Sequence, residues 1–120
     1  MAKKTPGKGQ IWHTNGDPVS GKEFKGSHYY LVISDEVLHK TLGTAICVPI
    51  TSAGLRARST GVTVILDGGS TDSGYITGCV LCHQLRTLDL NARAAKFKTN
   101  VTPEILDEVI GKIVDIIDPA

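Results

Sequence analysis

Thr102-Pro-Glu-Ile-Leu-Asp-Glu-Val-Ile-Gly-Lys-Ile-Val-Asp-Ile-Ile117 is the stretch on which the fold turns. Thr102 suits an N-cap, where a hydroxyl meets backbone amides that lack a helical partner. Pro103 suits the first helical position, and Glu104 faces the positive end of the helix dipole. Ile105, Leu106, Val109, Ile110, Ile113, Val114 and Ile117 recur at helical spacing and form one apolar stripe. The stripe predicts a terminal helix that seals the core of a separate layer.

Upstream, the pattern changes to short β-type runs separated by turn formers. Gln10–His13 reads as a strand, and His28-Tyr-Tyr-Leu-Val-Ile-Ser34 as a second. Between them, residues 15–27 are dense in Gly, Ser, Asp and Pro and carry charge, so they form a loop. Asp35–Leu42 predicts a short helix, with Ser34 as the N-cap and Gly43 as the stop. Thr44–Thr51 is another strand, in which Pro49 points to an edge or a bulge. Residues 52–60 are a loop, Gly61–Leu66 alternates as a strand, and Asp67–Gly74 is a turn. Tyr75–Cys82 reads as one long strand, with Leu85–Leu90 extending or bending it and Lys96–Val101 as the last strand. Five or more strands and one terminal helix predict an α+β, mostly β, barrel-like domain. The 120 residues suit a single domain over 1–120, with 1–8 as a flexible tail.

Composition narrows the function. With 41% hydrophobic and 21% charged residues, the chain can fold on its own core. Only six side chains are aromatic, too few for an RRM-type stacking platform. The net charge of +1 is uneven: 1–30 and 51–98 are each +3, whereas 99–120 is −4. The basic stretches suit a phosphate backbone as well as an ordinary solvated surface. Cys47, Cys79 and Cys82 are odd in number and lie in apolar runs, which predicts free thiols in a reducing compartment. Cys79-x-x-Cys82 has no second ligand pair, and residues i and i+3 of a strand face opposite sides. No metal site or cofactor is therefore expected. No run of 18 apolar residues predicts a membrane span, and the N-terminal residues lack an apolar signal core, so the cytoplasm is the expected compartment.

Several side chains suggest chemistry. Gly21-Lys-Glu-Phe-Lys-Gly26 lacks the Gly-Lys-Ser/Thr ending of a phosphate-binding loop, which excludes nucleotide binding of that type. Its Lys22 and Lys25 remain available to an anion. His28 and His83 fall at strand ends; two imidazoles converging on a cleft act as base and acid near neutral pH, whereas the plainer reading is half-exposed strand histidines. His13 is ambiguous between faces, and His39 reads as a helix-surface residue. Thr51 and Ser52 offer two hydroxyls at a strand end, and Gln84 and Arg86 place polar groups in an otherwise apolar run. There is no Gly-x-Ser-x-Gly elbow.

The order of motifs resembles the MazF/PemK family of type II toxins, in its PemK-like and ChpB-like branch. Gly9-Gln-Ile-Trp12, Asp17-Pro18, Gly21-x-Glu23-x-x-Gly26, Val48-Pro-Ile-Thr51-Ser52, Gln84-x-Arg86-Thr-x-Asp89 and Ala92-Arg93-x-x-Lys96 follow one another over residues 9–117. The resemblance implies an SH3-like barrel, a homodimer, and a cognate antitoxin that covers the site. It implies a metal-independent, sequence-specific endoribonuclease that cleaves single-stranded RNA, often mRNA, by attack of a ribose 2′-OH on the adjacent phosphate. Glu23 fits the family's loop glutamate, Thr51 and Ser52 its hydroxyl pair, and Gln84 and Arg86 its segment near the RNA groove.

Two departures bear on catalysis. His28-Tyr29 stands where the family has Arg-Pro, and Leu81 and His83 stand where the PemK branch has a catalytic Arg and Asp. The expectation is a rebuilt site. His28 and His83 divide the base and acid roles, and Thr51 and Lys22 stabilise phosphate charge. Glu23, Lys25, Ser52, Gln84 and Arg86 bind RNA. A toxin of the same fold that binds DNA gyrase, as CcdB toxins do, and a catalytically inactive RNA-binding relative are the competing readings.

Overall fold

The computed structural model describes residues 4–14, 29–51 and 61–119. The elements in chain order are β1 (Gln10–His13), β2 (Tyr29–Val32), α1 (Glu36–Leu42), β3 (Ala45–Thr51), β4 (Thr63–Leu66), β5 (Gly78–Leu81), β6 (Arg86–Leu88), β7 (Lys96–Asn100) and α2 (Pro103–Ile117). All strand pairs are antiparallel, in the order β4-β5-β3-β2-β1-β7, with β6 also paired to β3.

The two ends of this order meet. After β4 the chain turns through Asp67–Ser70, where Ser70 N–H donates to Asp67 O at 3.1 Å. Thr71 then bridges Val101, just past β7. Asp72 N–H donates to Asn100 O at 3.0 Å, and Thr102 N–H to Ser70 O at 2.9 Å. The sheet therefore curls into the expected small barrel. These bonds also explain why β5 is shorter than the expected Tyr75–Cys82. Residues 71–73 are committed to the end of β7, and Tyr75 is left 89% exposed.

Register separates two apolar faces. Ile11, Leu31, Val48, Ile50, Val64 and Val80 lie on one, and Val109 and Ile113 of α2 close over it. Trp12, Tyr30, Val32, Ala45 and Cys47 lie on the other, where Leu88 and Leu90 pack against them. Thr102 caps α2 as expected: its hydroxyl oxygen accepts from Ile105 N–H at 3.3 Å. The apolar stripe seals less than its length suggests. Val109 and Ile113 are buried, but Val114 and Ile117 are exposed.

Two further expectations change. Asp35, rather than Ser34, caps α1, accepting from Val37 N–H at 3.0 Å. The Ser34 hydroxyl is taken instead by Ile46 N–H at 2.9 Å, which ties the loop to β3. Pro49 is not on an edge strand: β3 has β2 on one side, and on the other pairs Ala45–Cys47 with β6 and Ile50–Thr51 with β5. Val48 and Pro49 fall at the change of partner, an interruption where proline is tolerated. The N-terminal segment meets the barrel from Lys4 onward. Pro6 and Gly7 are buried, Gly7 N–H donates to Gln10 Oε1 at 2.9 Å, and the Lys4 ammonium lies 4.4 Å from the Phe97 ring centre.

Candidate functional site

The change of partner in β3 positions the site. β5 ends at Leu81, the chain turns through Cys82 and His83, and Gln84 N–H donates back to Leu81 O at 3.1 Å. β6 then starts at Arg86, opposite Cys47 of β3. The linker 82–85 thus leaves the sheet beside Val48–Pro49. His83 is exposed there, with its Nε2 3.4 Å from the Gln84 amide nitrogen.

Arg86 is half-buried, and its Nη1 donates to the Tyr30 hydroxyl at 3.1 Å. The guanidinium carbon lies 6.0 Å from the Tyr30 ring centre. Tyr30 is only 1% exposed, so it gives the cation a rigid anchor. Pairing of Trp12 with Tyr30 and of Tyr30 with Pro49 puts these three on one face. Thr51, two residues beyond Pro49, shares that face, as do Arg86 through its partner Cys47 and Phe97 through its partner Trp12. Thr51 is buried at the end of β3, opposite Cys79.

Register therefore puts Thr51 and Arg86 on one side of the sheet, and His83 and Gln84 lie in the linker that leads into β6. His28, Lys22, Glu23, Lys25 and Ser52 lie outside the described residues. Leu81, where the resembling branch places a catalytic arginine, is buried and presents no polar group. Sequence reasoning missed Tyr30. Its signal, a tyrosine in an apolar strand, is ordinary; only the pairing of β2 with β3 shows that its hydroxyl meets Arg86. His13, left ambiguous, packs edge-on against Tyr29, with ring centres 4.9 Å apart. His39 is half-buried rather than a plain surface residue, and its Nε2 is enclosed.

The cysteines belong to the core. All three are free and buried. Burial pushes the Cys47 thiol up to about 12, opposed by the Arg86 charge. Burial likewise raises Cys82 to about 11, with the Lys112 charge lowering it and Glu108 raising it. Neutral buried thiols are poor nucleophiles, which removes both from the chemistry at neutral pH. Among the described residues no three His, Cys, Asp or Glu side chains are placed to hold a metal ion together, and no helix is long and apolar enough to cross a membrane.

The family model described as PemK-like, MazF-like toxin of type II toxin–antitoxin system matches residues 7–117. The chain is 34% identical over 110 residues to endoribonuclease PemK of Escherichia coli, covering 92% of this chain and 80% of that protein. It is 30% identical to endoribonuclease toxin ChpB of Escherichia coli strain K12, covering 98% of this chain and all of that one. The crystal structure of MazF from Deinococcus radiodurans superposes with a TM-score of 0.83 at 25% identity, over 96% of this chain and 98% of the other. This chain belongs to the PemK-like, MazF-like toxins of type II toxin–antitoxin systems.

Proposed function

We propose that the protein is an endoribonuclease toxin that cuts single-stranded RNA, mRNA included, at short sequences and without a metal. The observation that carries this reading is Arg86, a cation anchored by the buried Tyr30 hydroxyl on the Thr51 side of the sheet, three residues along the chain from the exposed His83. The names of the PemK and ChpB relatives support the reaction class.

The RNA supplies its own nucleophile. A base takes the proton of a ribose 2′-OH, and the freed oxygen attacks the neighbouring phosphorus. The bond from phosphorus to the 5′ oxygen breaks, and an acid returns a proton to that oxygen. A 2′,3′-cyclic phosphate and a 5′-hydroxyl result. His28 and His83 divide the base and acid roles. Charge grows on the phosphate oxygens, where Arg86, Thr51 and Lys22 stabilise it. Glu23, Lys25, Ser52 and Gln84 contact the RNA. The working form is a cytoplasmic homodimer held in check by a cognate antitoxin; sedimentation at 12.8 kDa alone would remove the dimer.

Cleavage of a long, weakly structured RNA in EDTA, with mapping of cut sites and end groups, tests the reading. Cuts at one short sequence that leave 5′-hydroxyl ends are expected. His83→Ala should lower kcat by about 10²–10⁴, the usual worth of a general acid or base. Arg86→Ala should lower it by about 10²–10³, as for loss of one charge-stabilising donor. Binding without cleavage by folded wild-type protein would overturn the nuclease and favour an RNA-binding relative.

A further inference from the structure

We propose that the pocket between β1 and the 91–97 segment holds one base of the single-stranded RNA, with Lys4 and Lys96 meeting the adjoining phosphates. The inference rests on the RNA reading above and extends it to a subsite away from the scissile bond. The pocket has a volume of about 440 Å³, within the range of small-ligand sites. Trp12 and Phe97 form its aromatic wall, edge to face with ring centres 6.0 Å apart. Asn91 lines it and offers an amide to a base edge.

The pocket is electropositive as well as aromatic. Lys96 lines it from the 91–97 segment, and no carboxylate among the described residues does. Lys4 enters from the N-terminal segment, and its ammonium covers the Phe97 ring at 4.4 Å. A base can take over that ring face while the ammonium moves to a phosphate. Aromatic walls beside a cationic track are the combination that binds single strands. The wall also includes Ala94, the one non-glycine residue with positive φ (52°) among the described residues. A turn held in that region costs conformational energy and is concentrated where geometry serves a ligand.

Position favours RNA over an acidic peptide as the occupant. Phe97, Trp12, Tyr30 and Pro49 are successive cross-strand partners on one face, the face of Thr51 and Arg86. Three strand spacings separate Phe97 from Pro49, about 14 Å. Trp12, Tyr30 and Pro49 are themselves buried, with Leu88 and Leu90 in the same cluster as the two aromatics, so a strand that joins the pocket to the candidate catalytic groups crosses over them.

The chain has a single tryptophan, so the emission of Trp12 reads the pocket directly. The probe is a single-stranded 2′-O-methyl RNA oligonucleotide, which lacks the attacking hydroxyl and stays uncut. A saturable emission change is expected. Phe97→Ala should weaken binding about tenfold through lost stacking. Lys4→Gln and Lys96→Gln, both at exposed positions, should each make log K against log salt shallower by about 0.7. Anisotropy of a labelled oligonucleotide should give the same ranking. Binding that is indifferent to all three variants overturns the subsite, as does an emission response to an acidic aromatic peptide but not to RNA. The two proposals fail separately. RNA cleavage without engagement of the pocket removes the subsite alone, whereas engagement without cleavage of unmodified RNA removes the nuclease alone.

Discussion

Arg86 shows how one cation is prepared for phosphate. A free arginine loses rotamer entropy when it clamps an anion; here the hydrogen bond to a 1% exposed tyrosine has already fixed the direction of the head group. Tyr30 acts through Arg86 and is a positioning residue. Tyr30→Phe removes one oxygen and leaves the packed ring in place. It should lower kcat by about tenfold, since small misplacements of catalytic groups are costly, while the thermal midpoint moves little. In a double-mutant cycle on RNA cleavage, Tyr30→Phe should add almost nothing once Arg86 is Ala; full additivity would show that Tyr30 acts by another route. Cys47 sits across the ladder from the same arginine and shows the opposite use of burial. Its thiol stays protonated from its ordinary value of 9.0 up to about 12. Unfolding releases that proton above pH 9, so stability is full below pH 9 and falls as pH rises toward 12. The loss is about 1.4 kcal/mol per pH unit for this thiol. Urea titrations from pH 8 to pH 11 should show the decline, with a smaller slope in Cys47→Ala; an unchanged slope would assign the decline to other groups.

Among the elements, α2 divides into a sealing half and an open half. Ile113→Ala removes a side chain buried against the barrel and should cost about 2–5 kcal/mol. Ile117→Ala, at a position 66% exposed, should change stability by no more than about 0.5 kcal/mol in the isolated chain. Chemical denaturation of the two variants separates the halves. The helix itself was legible in the sequence because its cap, its Pro103 and its period are all local features. So were β1, β3 and β7, from their β-branched and aromatic runs and the turn formers around them. What the sequence did not show depends on partners distant along the chain. Ser34 suits a cap by its type, but Ile46 N–H claims its hydroxyl across 12 residues. Tyr75-Ile76-Thr77 reads as strand, but the preceding residues are held at the end of β7. Thr51, His83, Gln84 and Arg86 were legible as candidates; the anchor Tyr30 was not, because it lies 56 residues from Arg86.

Over the whole molecule, charge and shape are segregated. The acidic residues of 99–120 concentrate on α2, which covers one face of the sheet, while Arg86, Lys4 and Lys96 belong with the other. A polyanion is thus drawn to the face that holds the candidate site and repelled from the helix. The break in β3 at Val48–Pro49 has a consequence of another kind. Because β5 and β6 dock on separate halves of β3, the linker 82–85 is not itself counted in either ladder. A residue added beside His83 would leave both registers intact, whereas the same addition inside β5 would turn its inward side chains outward. The fold therefore offers evolution a hinge-like slot at which the reach of the imidazole can be lengthened, shortened or exchanged for another reactive group. The histidine at 83, where the resemblance implies another residue, is the sort of change such a slot admits, whereas Leu81 belongs to β5.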